Sequence, residues 1–309
     1  MIRVEALTKT YPGVEAVRDI SFTVPAGEIF GFVGPNGAGK TTTMKVLATL
    51  LRPSSGGAWV DGVDVLQAPH LVRGKIGYMP DFFGVYDRLT VAEYLSFYAN
   101  CYRVPRRRWA KLVADLLELI NLPEKRDAQV DSLSRGMKQR LCLARALVHD
   151  PLVLILDEPA SGLDPRARIE MRELLRELKS MGKTILISSH ILPELAELCT
   201  SFGILDRGRM VASGPLEAIA GSGGILPRIR VRLGSDPNHA AYVVRQFPGV
   251  RDATLDDEGM EVTYEGGEPE AGMILAGLMS AGVRVTGFAP VEDNLEETFM
   301  RVTGAVPPA

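Results

Sequence analysis

Residues Gly31 to Thr43 read Gly-Phe-Val-Gly-Pro-Asn-Gly-Ala-Gly-Lys-Thr-Thr-Thr, and Gly34, Gly39, Lys40 and Thr41 among them satisfy the phosphate-binding pattern G-x-x-x-x-G-K-[ST]. This pattern restricts the fold because it works only as a turn between a strand and a helix. The chain supplies both flanks. Upstream, Glu28 to Val33 is a short apolar run with aromatic and β-branched residues, as a buried strand needs; downstream, Thr42 to Leu51 reads as a helix with Met44, Val46, Leu47 and Leu50 apolar. Gly37 and Gly39 lack Cβ atoms, so the backbone can curl until successive N–H groups face one concavity, a nest for phosphate oxygens. The following helix adds the positive end of its dipole. The expected nucleotide set is Gly34, Pro35, Asn36, Gly37, Ala38, Gly39, Lys40, Thr41 and Thr42, with Lys40 reaching the β- and γ-phosphates and the Thr41 hydroxyl ligating Mg²⁺.

The 309 residues, 46% of them hydrophobic, are enough for one large domain plus a small one. A net charge of −3 gives no general attraction to nucleic acid, and Arg106-Arg107-Arg108 reads as a solvated helix start. Cys101, Cys142 and Cys199 are scattered, odd in number and without metal spacing, which favours a reducing compartment. Met1 to Glu5 has no signal-peptide core, and no stretch approaches the roughly 20 apolar residues that span a bilayer. A membrane role is therefore expected to be peripheral, through a partner.

Along the chain, Ile2 to Leu7 and Ile20 to Val24 read as paired strands, with Lys9 to Gly13 as a loop in which Tyr11 is either packed or a base-stacking platform; its own surroundings favour packing. Ala58 to Val65 is a hairpin with an Asp61-Gly62 turn, and Lys75 to Pro80 a strand stopped by its proline. From Thr90 the periodicity turns helical: Thr90-Val91-Ala92-Glu93 is a capping box, Trp109 to Ile120 has one broad apolar face, and Ser134 can cap a helix reaching about Val148. Leu152 to Leu156 is an unbroken apolar run ending in Asp157-Glu158-Pro159, which places two carboxylates at the carboxyl end of a buried parallel strand, where ligands bind in such folds. Asp164-Pro165 starts a helix to Ser180, Thr184 to Ser189 is another buried strand, and His190 stands just past it. Ala220 to Gly224 reads as linker; beyond it the order strand, helix, strand, strand, helix, strand from Arg228 to Ala289 is ferredoxin-like, followed by a helix over Asn294 to Val302.

With the phosphate loop, the Leu133-to-Arg140 segment, the Asp157-Glu158 pair and His190 in this order, roughly the first 220 residues resemble the ATP-binding subunit of an ABC transporter. The resemblance implies an α/β P-loop NTPase of the ABC ATPase type over residues 1–220, with an antiparallel β subdomain and a helical insertion at about 82–148, then a linker at 221–227 and a small α+β ferredoxin-like accessory domain at 228–309. It makes Ser134, Arg135, Gly136 and Met137 the signature that closes over ATP bound to the opposite subunit, and Asp164 part of the D-loop. Asp157 would hold Mg²⁺, Glu158 would polarise the attacking water, His190 would contact the γ-phosphate, and Tyr11 would stack on adenine after all. Lys40, Glu158 and His190 are thus the expected catalytic set, ATP and Mg²⁺ the cofactors. One set of motifs per chain implies a second ATPase subunit, a homodimer formed on ATP, with no nucleic acid involved.

Two departures from the family pattern stand out. Asp81 replaces the usual glutamine after Tyr78-Met79-Pro80, and Arg135 and Met137 replace a glycine and a glutamine in the signature. A carboxylate about 6 Å from a phosphate charge, at an effective dielectric near 20, costs about 3 kcal/mol per charge pair unless a cation offsets it, so Asp81 is expected to face the metal rather than point away. The Ser-x-Gly-Met signature, Asp81 and the ending Asn294 to Gly304 look like the prokaryotic exporter branch in which ATPase and membrane permease are separate chains, serving drug-resistance, polysaccharide and natural-product export. That implies a place at the cytoplasmic face of the cell membrane, held by an integral membrane permease that Phe82 to about Leu89 would contact; from the residues alone Phe82, Phe83 and Tyr86 could equally be core. The alternatives are a soluble ABC ATPase with a non-transport role and a regulatory protein that hydrolyses poorly. Neither paired cassettes nor long coiled coils favour the first, and intact Lys40, Asp157, Glu158 and His190 oppose the second.

Overall fold

The apolar runs on either side of the phosphate loop become the middle of a sheet. The structure is a computed structural model describing residues 1–82, 84, 88–189, 192–216, 218–219, 226–234, 236–256 and 259–291, which divide into one unit within Met1–Leu216 and another within Glu217–Arg301. In the first unit, β1 (Ile2–Tyr11) and β2 (Val14–Val24) form a long antiparallel pair, followed by β3 (Ile29–Val33) and, after the phosphate loop, α1 (Lys40–Leu47). Next come β4 (Ser55–Val60), β5 (Val63–Asp64), α2 (Pro69–Lys75) and β6 (Ile76–Met79). Helices α3 (Val91–Cys101), α4 (Trp109–Leu119) and α5 (Arg135–Leu147) follow. The unit closes through β7 (Val153–Asp157), α6 (Pro165–Ser180), β8 (Thr184–Ser188), α7 (Leu192–Ala196), β9 (Ser201–Asp206) and β10 (Arg209–Gly214).

These strands make two sheets. One is six-stranded in the order β10-β9-β3-β8-β7-β6, parallel except for β10; the other is antiparallel in the order β2-β1-β4-β5. Strands β3, β7 and β8 are buried at every position, which explains why they read as continuous apolar runs rather than alternating ones. The antiparallel sheet packs through Phe22, whose ring lies 5.5 Å from that of Phe30 and 4.9 Å from that of Phe32. Met44, Val46 and Leu47 of α1 enter the same core, so the helix that begins at the phosphate loop is anchored from both sheets.

Three local expectations change. Lys9 to Tyr11 is strand, not loop, because β1 and β2 stay paired, through several register shifts, to Tyr11↔Val14 and need only Pro12-Gly13 to turn. Helix α1 starts two residues earlier and ends at Leu47, with Leu50 62% exposed beyond it, since Thr49 adopts φ 61°. Phe82 is not core: it is 83% exposed, while Phe83 and Tyr86 lie outside the described residues, as does the helix expected at Asn294 to Val302. Among the described residues no helix is long and apolar enough to cross a membrane.

The second unit has β11 (Arg228–Leu233), α8 (Pro237–Val244), β12 (Val250–Asp256), β13 (Gly259–Tyr264), α9 (Glu268–Ser280) and β14 (Val285–Pro290). Its sheet order is β12-β13-β11-β14 with every pairing antiparallel, the ferredoxin-like arrangement of two interleaved strand–helix–strand crossovers. Alternating Ile229, Val231, Met260, Val262 and Tyr264 bury one sheet face against Ala240, Val244, Ile274 and Leu278 of the two helices.

At the start of α3 the Glu93 amide donates to Thr90 Oγ1 at 3.2 Å while the Thr90 amide donates to the Glu93 carboxylate at 2.8 Å, so two end amides are satisfied reciprocally. Thr90→Ala is expected to lower unfolding free energy by about 1 kcal/mol and Thr90→Ser to retain most of it; urea denaturation midpoints of the three proteins check this.

Candidate functional site

The turn from β3 into α1 is shaped by close backbone approaches. Gly39 takes φ 104°, and a Cβ there would lie 2.7 Å from the Ala16 carbonyl oxygen, so no other residue fits without displacing β2. A Cβ on Gly34 would meet the Leu205 carbonyl oxygen at 2.3 Å. The Gly208 amide donates to the Ala38 carbonyl at 3.2 Å and the Arg18 amide to the Gly208 carbonyl at 2.7 Å, so the β9–β10 hairpin clasps the loop from outside. Gly39 is the N-cap of α1 and no side chain caps it. The first-turn amides are thereby left for an anion, with the helix dipole behind them.

Lys40 is buried, and its ammonium donates to the carbonyls of Gly34 at 2.6 Å and Pro35 at 3.2 Å. Burial lowers its pKa, while Glu158 and Asp157 pull the other way. The cation is thus folded over the loop that the sequence assigned to phosphate. Asn36 to Thr42, Asp81 and Glu158 line one open cleft of about 560 Å³.

Across the cleft the parallel register sets Asp157 of β7 opposite Ser188 of β8. The Ser188 hydroxyl donates to Asp157 Oδ1 at 2.6 Å and accepts from the Glu158 amide at 3.0 Å. One side chain therefore orients both carboxylate residues, and Glu158 takes the left-handed φ of 51° that turns it off the strand. Asp157 is fully buried, and its Oδ2 has no hydrogen-bond partner among the described residues. Burial raises its pKa; the Ser188 and Thr41 hydroxyls draw it down, and Asp81 and Glu158 push it further up. A buried carboxylate oxygen without a donor, next to a threonine hydroxyl, is a fitting start for an octahedral Mg²⁺ shell completed by phosphate and water oxygens.

Ser134 caps α5, its hydroxyl accepting from the Met137 amide at 3.3 Å, and Gly136 packs close to Ala167 of α6. Asp164 caps α6 by accepting from the Ala167 amide at 2.9 Å. Neither Ser134 nor its three neighbours line the phosphate cleft. Tyr11 is 39% exposed with the Lys9 ammonium 5.3 Å from its ring centre, and it too lies outside the cleft lining, whereas Val14 lies within it. Asp81 lines the cleft, its Oδ1 accepting from the Phe82 amide at 2.8 Å. His190 lies outside the described residues. Sequence reasoning passed over three contributors: Ser188, Arg207 and Arg18, the last two also lining the cleft. Ser188 was visible as a hydroxyl at the end of an apolar strand, but the strand pairing that gives it a task was not; the arginines carried no local signal.

Comparison with known proteins places these features in a wider group. The family model described as ABC transporter matches residues 17–161. The chain is 38% identical over 304 residues to the Nod factor export ATP-binding protein I of Rhizobium johnstonii, covering 98% of this chain and 94% of that protein. It is 30% identical over 306 residues to the linearmycin resistance ATP-binding protein LnrL of Bacillus subtilis, covering 98% of each. A solved ATP-binding subunit of an ABC transporter is 32% identical, with 73% of this chain and 94% of that one covered and a TM-score of 0.67. A dimeric bacterial ABC transporter cassette is 25% identical, with 70% and 99% covered and a TM-score of 0.64.

The burial of Asp157 has a consequence for stability. An unfolded chain ionises this aspartate at the ordinary value and the folded one at a higher pH, so across that interval the folded state binds more protons and stability falls as pH rises, staying level above it. Asp157→Asn removes the buried charge. In the absence of nucleotide and Mg²⁺ it is expected to melt roughly 2–4 °C above wild type at pH 8, the gap closing as pH falls toward the ordinary aspartate range, as read by thermal melts across pH.

Proposed function

This chain belongs to the ABC transporter family, as its ATP-binding and ATP-hydrolysing subunit, and from that premise we propose that it drives an exporter by closing with a second copy over two ATP molecules. The observation that carries this reading is the separation of the two half-sites. The phosphate loop, Asp81 and Glu158 share one cleft, while the Ser134-to-Met137 helix start, an anion-receiving element of the same kind, lies outside it. In a two-fold dimer each signature faces the partner's nucleotide. The dimeric cassette among the similar structures supports that arrangement.

The cleft geometry supports the roles of the loop, Thr41, Asp157, Asp81 and Glu158, and the family resemblance those of Tyr11 and His190. The α1 amides and Lys40 receive the β- and γ-phosphates, the ammonium exchanging its bonds to Gly34 and Pro35 for phosphate oxygens. Thr41 and Asp157 would hold Mg²⁺, which when bound neutralises phosphate charge, and Asp81 is proposed to complete that side of the site. Glu158 orients the attacking water, with its backbone fixed by Ser188. Positioning and electrostatic stabilisation supply most of the rate, as phosphoryl transfer needs little covalent help from a protein. Tyr11 would stack on adenine at the end of β1, and His190 would contact the γ-phosphate.

Export and a separate permease rest on the relatives, whose names state Nod factor export and linearmycin resistance. The chain would then sit at the cytoplasmic face of a membrane through that permease. Phe82, 83% exposed beside Asp81, is the apolar group offered to it. The domain assignment proposed is an ATPase domain to about residue 220 and an accessory domain from 228.

Glu158→Gln is expected to shift from monomer to dimer on size-exclusion chromatography with saturating ATP and Mg²⁺, while the hydrolysing wild type stays mostly monomeric; a variant that remains monomeric sinks the two-copy scheme. Asp81→Ala should raise the Mg²⁺ concentration for half-maximal ATPase activity several-fold, and an unchanged Mg²⁺ titration removes Asp81 from the metal site.

A further inference from the structure

Resting on the reading that two copies close over ATP, we propose that Arg135 is a positioning residue that couples the two nucleotide sites of the dimer. It ties the signature helix, which serves the partner's ATP, to Glu158, which serves the chain's own. An arginine at the first position of a helix is at the wrong end for the dipole, where anions are welcome and cations are not. Its placement therefore needs another reason, and the contacts supply one.

The Arg135 guanidinium donates from Nη2 to the Ser161 carbonyl at 3.1 Å and lies flat against Gly162. Gly162 has φ 67°, and a Cβ there would stand 2.4 Å from Arg135 Cζ, so this loop is shaped to admit the guanidinium. Gln139 of the same helix donates to the same carbonyl at 3.2 Å. The Ser161 amide in turn donates to the Glu158 carbonyl at 3.1 Å, and the Glu158 amide donates to the Ser188 hydroxyl, which holds Asp157. A hydrogen-bonded line thus runs within one chain from the signature through the backbone of Glu158 to the Asp157 carboxylate.

The line has two states. Without a facing phosphate, the guanidinium is satisfied by Ser161 and holds the loop against α5. A partner's γ-phosphate arriving at the start of α5 is a stronger acceptor for the same cation, draws it away from Ser161 and frees the backbone beneath Glu158. Occupancy of one site then biases the carboxylate of the other, and coupling between binding sites is reciprocal.

The test uses the full chain and compares Arg135→Leu, which keeps bulk without a donor, Arg135→Lys, which keeps a donor, and Gly162→Ala, whose methyl displaces the guanidinium. In wild type the ATPase rate is expected to rise with ATP with a Hill coefficient approaching about 2, the ceiling for two sites. Arg135→Leu and Gly162→Ala should fall to near 1, with far-UV circular dichroism unchanged and with ATP affinity of the isolated subunit within about twofold of wild type, melting being unchanged for Arg135→Leu and lowered for Gly162→Ala by the strain of its left-handed φ; Arg135→Lys should recover most of the cooperativity. Arg135→Leu with full cooperativity overturns the proposal. So does a Hill coefficient left unchanged with half-saturating ATP raised tenfold or more, which would make Arg135 a phosphate ligand and nothing else. In parallel, Glu158→Gln with Arg135 intact reports on the dimer itself: if that variant does not dimerise on ATP, the two-copy reading falls and carries the proposal with it, whereas dimerisation beside an undisturbed Hill coefficient rejects Arg135 alone.

Discussion

A fully buried aspartate short of hydrogen-bond donors is the constraint around which the ATPase unit is arranged. Asp157 has lost its hydration and receives the Ser188 hydroxyl on Oδ1, while its Oδ2 has no hydrogen-bond partner among the described residues, a state that costs free energy and that the proposed cation would relieve. The strand pairing that places Ser188 there belongs to the middle of a parallel sheet with every position of β7 and β8 buried. A looser sheet would let water reach the carboxylate and remove the bias toward binding an ion with its phosphate. The core packing is thus part of the chemistry, because it keeps an ionisable group short of partners.

The opposite wall obeys the same economy of partners. The first amides of α1 lack a side-chain cap, and Lys40 makes do with two loop carbonyls. This wall is held by backbone approaches too close for side chains, at Gly34 and Gly39, and by the β9–β10 hairpin behind it, and the other by the pairing of β7 with β8. The cleft is therefore preorganised for a charged ligand on both sides, as electrostatic stabilisation of phosphoryl transfer requires. In the proposed two-copy arrangement its third side is the start of α5 of the second copy, a segment that lies outside the cleft lining of its own chain.

Much of this was legible in local patterns. Glycines at fixed spacing, an apolar run ending in Asp157-Glu158, and the Thr90, Ser134 and Asp164 caps each depend on neighbours within a few residues, and all three caps form the expected hydrogen bonds. The alternation that marks the second unit as ferredoxin-like is equally local, and its sheet order follows. Failures cluster where distance decides. Tyr11 reads as a loop residue because Pro12-Gly13 is a strong turn signal, yet pairing with β2 carries the strand to the turn's edge. Arg207 and Arg18 meet at the cleft where the β9–β10 turn bonds to β2 through the Arg18 amide and the Gly208 carbonyl, a contact that no short window contains.

The sequence by itself determined the phosphate loop, most of the strands and helices in their order, and the family, because turn chemistry, capping and hydrophobic periodicity act over a few residues and are written in residue order; α2, α7, β9 and β10 came only with the structure. Only the tertiary structure decided that Ser188 holds both the Asp157 carboxylate and the Glu158 amide, and that Arg135 reaches the loop beneath Glu158. Those relations join residues 26 to 31 positions apart. They exist because side-by-side strands and a close helix crossing bring together groups whose spacing in the chain carries no period of its own.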